Sequence, residues 1–178
     1  MKRYRKVHDI SPAPLIQHAP YLAGLLDGEG TFAIRMIERG TLLFSPMIEI
    51  SMSHKETIEF VARIFGVTWG KAKQNKPHHK DMYYLRVTTQ DEIKQIAIAL
   101  LPHSITRHEQ IELVLDFFSL KDTFPGGKYD SHCKEILLKM IDVCIELAKR
   151  NERGKPRNYR AMREKLRAKL IQISNKIE

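Results

Sequence analysis

The order of helix-like and strand-like segments is the feature that most restricts the fold of this chain. A helical segment ending near Gly28 precedes strand candidates at Thr31 to Glu38 and Leu42 to Met52, the second of which alternates with a period of two. A second helical segment, Lys55 to Phe65, precedes two further strand candidates, Thr68 to Gln74 and Met82 to Thr88. Later helices are predicted over Gln90 to Leu101, Ile105 to Leu120, Ser131 to Arg150 and Asn158 to Ile177.

This order predicts an α+β domain in which helices cover one face of a four-stranded antiparallel sheet. The other face is then left for solvent or a ligand. Residues 1–18 are predicted to be an irregular basic arm, because Pro12 and Pro14 should block a regular helix. Residues 19–120 form the predicted core, and residues 121–178 a C-terminal helical extension of the same domain.

Composition excludes several classes of protein. No apolar run approaches the roughly 20 residues of a membrane span, and the basic N-terminus lacks the apolar region of a secretory signal. The two cysteines, Cys133 and Cys144, lie eleven residues apart in one predicted helix, where they cannot pair with each other. We therefore expect no membrane partner, no zinc site, and an intracellular location in the cytoplasm of a prokaryote or in an organelle.

Positive charge is concentrated toward the C-terminus. The chain carries a formal net charge of +9, and Lys149 to Glu178 contain eleven Lys or Arg against three acids. Such a surplus favours a polyanionic partner, nucleic acid before membrane. From charge alone, a solvated charged surface is an equally good interpretation.

Strand alternation assigns a mixed set of cations, hydroxyls and aromatic rings to the open face of the sheet. A surface of this kind suits a ribbon of strands in the DNA major groove, although alternation alone fits an ordinary polar sheet face equally well. The candidate DNA-binding residues are Thr31, Ala33, Arg35, Ile37, Arg39, Ser45, Met47, Glu49, Ser51, Trp69, Lys71, Lys73, Tyr84 and Arg86, with Lys155, Arg157 and Arg160 near the start of the last helix.

The stretch YLAGLLDGEG places two acids, Asp27 and Glu29, at the carbonyl end of the first helix, where negative charge is unfavourable. Gly24 and Gly28 lie four residues apart on one helix face, so that another backbone can come close. If that backbone belongs to a second copy, the two Glu29 carboxylates meet. They then create a strongly negative region that can bind divalent cations such as Mg²⁺.

Residues 22–30, LAGLLDGEG, resemble the nine-residue signature of the LAGLIDADG homing endonucleases. Six positions are identical, and Glu29 replaces the second aspartate while keeping a carboxylate. The order of elements agrees over about residues 19–120, because the core of that family is αββαββα followed by C-terminal helices. The resemblance implies a four-stranded DNA-binding saddle.

The resemblance also implies roles for individual residues. Glu29 and the backbone carbonyl of Gly28 would bind the metal, and Asp27 and Gly24 would be structural at a subunit interface, with Asp27 capping the partner helix. Arg107 and Gln110 match the start of the helix after the second hairpin. Arg107 would hold the scissile phosphate or stabilise charge in the transition state. The family commonly has lysine there, and arginine cannot serve as a proton donor.

A single motif copy supplies half an active site, so the resemblance implies a homodimer on a near-palindromic duplex site. It further implies Mg²⁺-dependent hydrolysis of both strands, leaving 3′ overhangs. An intron-RNA maturase, or a binding protein of the same fold that does not cut, is the alternative, with host intron RNA as its partner. A third interpretation is a basic structural protein of a ribonucleoprotein. Retention of Glu29 and Arg107 favours cleavage.

Overall fold

The computed structural model describes residues 12–39, 41–73, 80–123, 131–152, 158, 161 and 163–168, and only the backbone of residues 38, 39, 41, 42, 131 and 132. Its helices are α1 (Pro12–Gln17), α2 (Ala19–Glu29), α3 (Lys55–Ile64), α4 (Gln90–Leu100), α5 (His108–Asp122) and α6 (Ser131–Arg150), with a 3₁₀ turn at Leu101–His103. Its strands are β1 (Gly30–Arg39), β2 (Thr41–Met52), β3 (Trp69–Lys71) and β4 (Tyr83–Val87).

The strands form one four-stranded sheet in the order β1-β2-β4-β3, and each neighbouring pair is antiparallel. Strands β1 and β2 form a long hairpin in which Gly30 lies opposite Ile50 and Arg39 opposite Thr41. Strand β4 pairs with the C-terminal half of β2, from Ile48 opposite Val87 to Met52 opposite Tyr83. The predicted α+β architecture with a four-stranded antiparallel sheet is therefore confirmed.

The apolar positions of the strands make one face of the sheet the floor of the core. Phe32 of β1, Ile48 and Ile50 of β2, and Leu85 and Val87 of β4 are fully buried. The core cluster also contains apolar side chains from all six helices. Burial of this apolar surface is the main stabilising contribution, and it fixes which sheet face stays open.

Three parts of the chain differ from the prediction by more than about one residue. The arm contains a short helix, α1, because Pro12 and Pro14 lie in its first turn, where a missing N–H removes no intrahelical bond. Helix α5 begins at His108 rather than Ile105, since residues 105–107 turn to present their amides to another element. Strand β3 has three residues instead of seven.

The sequence predicted no membrane span and no disulfide between the two cysteines. Among the described residues, no helix is both long and apolar enough to cross a bilayer. Cys133 and Cys144 are buried in α6 as reduced cysteines, and burial raises the pKa of the Cys144 thiol.

Helix α3 ends in a glycine turn that the sequence indicates. Gly66 has φ 59°, in the left-handed region. Val67 N–H donates to the carbonyl of Ala62 at 2.9 Å, and Gly66 N–H donates to that of Arg63 at 3.4 Å. These are the two hydrogen bonds of a Schellman cap. The left-handed conformation that this cap requires at Gly66 is free of strain only for glycine.

Replacement of Gly66 by alanine tests this turn. Because an L-residue with φ near 60° costs about 1 kcal/mol or more, we expect Gly66→Ala to lower the melting temperature by about 2–4 °C in a chain of this size. Ser53→Ala, an exposed change at the entry of the same helix, is the control and should have almost no effect. Equal melting temperatures for Gly66→Ala and the wild type would contradict this account of the turn.

Candidate active site

Helix α2 has two unlike faces. Ala19, Leu22, Ala23 and Leu26 are buried against the core. Gly24 and Gly28 lie on the opposite face, where a Cβ atom added at either position would meet no described atom within 4 Å. The described residues therefore leave the small-residue face of α2 uncovered.

Gly30 joins α2 directly to β1 and tolerates no side chain. It has extended backbone angles, φ −84° and ψ 158°, and its N–H caps the carbonyl of Leu26. A Cβ atom at Gly30 would lie 2.7 Å from both the Cα and the carbonyl oxygen of Leu26. The final glycine of the motif is thus required by a close backbone approach, which sets the direction in which β1 leaves the helix.

Asp27 at the end of α2 binds the start of α5 within the same chain. Its Oδ2 accepts hydrogen bonds from the backbone amides of Ile105 at 2.7 Å and Thr106 at 3.0 Å. Its Oδ1 accepts from the Arg107 amide at 2.9 Å and from Ser104 Oγ at 2.5 Å. The resemblance implied that this carboxylate caps the helix of a partner. That expectation is wrong for this contact, because the amides that it caps belong to its own subunit.

These four donors explain how a carboxylate is tolerated at a helix C-terminus. Burial opposes ionisation of Asp27, but the hydrogen bonds from Ser104 and from the three successive amides outweigh it. The pKa of Asp27 therefore lies below its usual value of 3.8. A concave run of amides of this kind binds anions as a helix N-terminus does.

The same contact determines where Arg107 lies. Arg107 is the N-cap residue of α5, and its own amide is one of the bonds to Asp27. Its side chain is only 9% exposed, and in the described part of the chain its buried Nε has no hydrogen-bond partner. An ordinary solvated arginine is therefore excluded. Gln110, one turn further along α5, is 6% exposed. The burial of Arg107 therefore places a positive charge beside the contact between Asp27 and the start of α5.

Glu29 is the last residue of α2, and it is exposed. Among the described residues, neither a hydrogen bond nor an ion pair holds its carboxylate, and no group of three or more His, Cys, Asp or Glu side chains could enclose a metal ion. At the end of α2, the described residues therefore offer a single carboxylate, together with the neighbouring carbonyl of exposed Gly28. Hard oxygen donors of this type fit Mg²⁺, which retains several waters and takes its other ligands from phosphate.

The open face of the sheet can be read from the register. Thr31 lies opposite Glu49, Ala33 opposite Met47 and Arg35 opposite Ser45, and on the next strand pair Glu49 lies opposite Arg86 and Ser51 opposite Tyr84. With Ile37, these ten side chains share the face that the helices do not cover, as alternation predicts. Met47 differs from the others because it is only 6% exposed, so it is poorly accessible to a ligand.

The predicted face of β3 is wrong. Trp69 lies opposite buried Leu85, and Lys71 lies opposite Tyr83, so both belong to the helix-covered side. Trp69 packs edge-on against Tyr83, and the Lys55 ammonium lies 5.3 Å from its ring centre. Lys71 pairs instead with Asp81. Gly70 is the residue of β3 on the open face, and the Tyr84 ring lies across it, 3.1 Å from where a Cβ would be.

Several other candidates remain predictions. Lys73 is exposed just beyond the end of β3. The side chain of Arg39 lies outside the described atoms, and Lys155, Arg157 and Arg160 lie outside the described residues.

Sequence reasoning missed Ser104 and the run of amides that bind Asp27. The signal available was Pro102 after α4, which indicates a turn but not where its amides point.

Comparison with known proteins identifies the fold. No family model and no curated protein matches the sequence. Among solved structures, the archaeal intron-encoded homing endonuclease I-Vdi141I in complex with DNA is similar with a TM-score of 0.67 at 16% identity, over 88% of this chain and 98% of that one. The homing endonuclease I-CvuI, in complex with its target and Ca, is similar with a TM-score of 0.64 at 18% identity, over 88% and 96%.

A third similar structure belongs to a longer protein, of which this chain covers only part. The I-SmaMI LAGLIDADG homing endonuclease bound to cleaved DNA matches with a TM-score of 0.58 at 13% identity, over 90% of this chain but only 50% of that one. The chain thus has the fold of the LAGLIDADG homing endonucleases. It corresponds to all of some of these proteins and to half of another.

The hydrogen bonds to Asp27 predict a pH-dependent stability. Because the pKa of Asp27 is lower in the folded than in the unfolded chain, its contribution is complete above the unfolded value near 3.8 and is lost as the pH falls through the folded value. We expect Asp27→Asn to lower the free energy of unfolding at pH 7 by about 1–2 kcal/mol, the usual cost of losing a cap.

Urea unfolding at pH 7 and at pH 3 measures this effect. The deficit of Asp27→Asn relative to the wild type should shrink at pH 3. Asp116→Asn, at an exposed acid of α5, is the control and should show little deficit at either pH. A deficit in Asp27→Asn that stays the same at both pH values would contradict an ionised cap.

Proposed function

We propose that this protein is a LAGLIDADG homing endonuclease that hydrolyses both strands of a long, near-palindromic DNA site inside the cell, as a homodimer with Mg²⁺. The observation that carries the proposal is the end of α2. There an open glycine face leads to an unpaired carboxylate, Glu29, in a chain whose fold matches DNA-bound homing endonucleases.

The requirement for two copies follows from the contents of one chain. Glu29 is the sole acid of α2 without a protein partner in the described residues, so each chain offers one carboxylate and one carbonyl for a metal, and hydrolysis of two strands would use a second such set. A second copy packed along Gly24 and Gly28 would bring a second Glu29 close to the first. The match to half of I-SmaMI supports a two-unit arrangement.

Glu29 and the Gly28 carbonyl would hold the metal in each copy. When bound, Mg²⁺ supplies Lewis-acid stabilisation of the phosphate and a more acidic water. Asp27 keeps the end of α2 in place, so that Glu29 points away from its own subunit's core. Arg107 would neutralise charge on the scissile phosphate, since a guanidinium keeps its positive charge at ordinary pH.

The open sheet face would lie in the major groove, where side chains can reach base edges. Arg35, Thr31, Ser45 and Ser51 offer donors or hydroxyls there. The net charge of +9 would add an affinity for phosphate that depends on salt.

Incubation with a randomised near-palindromic duplex library, with Mg²⁺ and again with EDTA, tests the proposal. Sequencing of the cut ends should reveal double-strand breaks with a fixed 3′ overhang in Mg²⁺ alone. If the chain holds DNA or intron RNA without cutting either, a binding protein or maturase of this fold replaces the proposal. Binding that needs neither Mg²⁺ nor a dimer would favour a structural ribonucleoprotein component.

Glu29→Gln separates cleavage from binding. Gln keeps the size of the side chain but loses its charge, so we expect the cleavage rate to fall about a hundredfold or more while the dissociation constant for the duplex changes little. Glu56→Gln, at an exposed acid of α3, is the control. Normal cleavage by Glu29→Gln would exclude Glu29 as a metal ligand.

Gly24→Leu tests the glycine face. A Cβ at Gly24 meets none of the described atoms within 4 Å, so the variant should fold with a near-normal melting temperature. It should prevent a second α2 from approaching, and light scattering should then give the mass of one chain where the wild type gives two. Gln95→Leu, an exposed change on α4, should leave the mass at two chains. A dimeric Gly24→Leu variant would show that the dimer uses another surface.

A further inference from the structure

The open sheet face contains one acid among its described residues, and that acid is ion-paired. Glu49 lies on β2 directly opposite Arg86 on β4, and these two strands are the central pair of the sheet. Both side chains are 30% exposed, so the pair is neither fully solvated nor buried. An acid at the centre of a face that would meet a polyanion weakens binding to phosphate, so its presence there calls for another purpose.

The geometry of the pair leaves one acceptor and one donor unused. Arg86 donates from Nε to Glu49 Oε2 at 2.7 Å, and its Nη2 donates to the same oxygen. Within the described residues, Glu49 Oε1 and Arg86 Nη1 have no protein partner. Each side chain holds the other in one orientation, which reduces the rotamer entropy lost on binding.

An adjacent donor and acceptor match the major-groove edge of one base pair. Guanine presents acceptors at N7 and O6, and its partner cytosine presents the N4 amino donor beside them. Arginine to guanine and a carboxylate to the cytosine N4 amine are the contacts that these side chains favour. An A·T pair fits less well, because adenine presents only one acceptor, N7, beside its amino donor, whereas guanine presents two acceptors to an arginine.

Resting on the proposed function, we infer that Glu49 and Arg86 act together as a specificity-determining pair that reads one G·C base pair in each half-site. Arg86 Nη1 donates to guanine O6 or N7, and Glu49 Oε1 accepts from cytosine N4. Glu49 thereby also disfavours other positions on the duplex, where its carboxylate would face only phosphates or base acceptors.

Selection of bound duplexes from a randomised library, with Ca²⁺ in place of Mg²⁺ to hold them uncut, tests the inference. The wild type should select G·C at one symmetric position in each half-site. Glu49→Gln and Arg86→Gln should each reduce the preference at that position by about tenfold to a hundredfold. The preferences at all other positions should stay unchanged, which a merely structural role for the pair would not produce.

The charge-swapped variant Glu49→Arg/Arg86→Glu provides a second measurement. It keeps the ion pair between β2 and β4, so its result stands even if a single substitution unfolds the sheet. Because donor and acceptor exchange places, the preferred pair should invert from G·C to C·G. Lys94→Gln, which breaks an ion pair between α4 and Asp122 on the helical side, should leave every preference as in the wild type.

The outcomes separate this inference from the proposed function. A wild type that selects a site with A·T or no preference at the affected position overturns the inference alone. Single variants that reduce the base preference equally at all positions also overturn the inference alone. So does a charge-swapped variant that keeps the G·C preference of the wild type. A wild type that selects no duplex at all overturns both.

Discussion

The set of hydrogen bonds at Asp27 is the interaction on which the rest of the site depends. One carboxylate holds the amides of three successive residues and the hydroxyl of Ser104. It thereby joins the last turn of α2 to the turn that leads into α5, about eighty positions away in the sequence. Burial opposes the charge, but the donors outweigh this cost and keep the pKa of Asp27 low. Glu29 and Arg107 lie within two residues of the groups so joined, and their positions are fixed through this contact.

The glycines of the motif serve two different physical purposes. Gly30 is required inside the chain, because a Cβ atom there would collide with the Leu26 backbone. A Cβ atom at Gly24 or Gly28 would meet nothing within 4 Å in the part of the chain that the structure describes, so no contact there requires their small size. In the proposed function, their small size serves the close approach of a second α2. Within the same nine residues, Gly30 is therefore needed for packing inside one subunit, and Gly24 and Gly28 for the proposed assembly of two.

Much of the fold follows from local sequence patterns. Apolar periodicity gave α3, α4, α6 and the β1–β2 hairpin to within about one residue, because their buried faces repeat regularly. Patterning failed at β3, where a three-residue strand is too short to show which side of Trp69 is buried. It failed again before α5, since residues 105–107 are ordered by a carboxylate distant in sequence. The motif pointed to Glu29, and the resemblance at the start of the helix after the second hairpin pointed to Arg107. The burial of Arg107 and the pairing of Glu49 with Arg86 needed three-dimensional structure.

In the proposed function, one chain supplies half of a DNA-cleaving site. Native mass spectrometry of the chain on its selected duplex, held uncut in Ca²⁺, tests it most directly. The account predicts two chains on each duplex, and breaks in both strands when Mg²⁺ replaces Ca²⁺. A complex with one chain per duplex that still cuts both strands would contradict it.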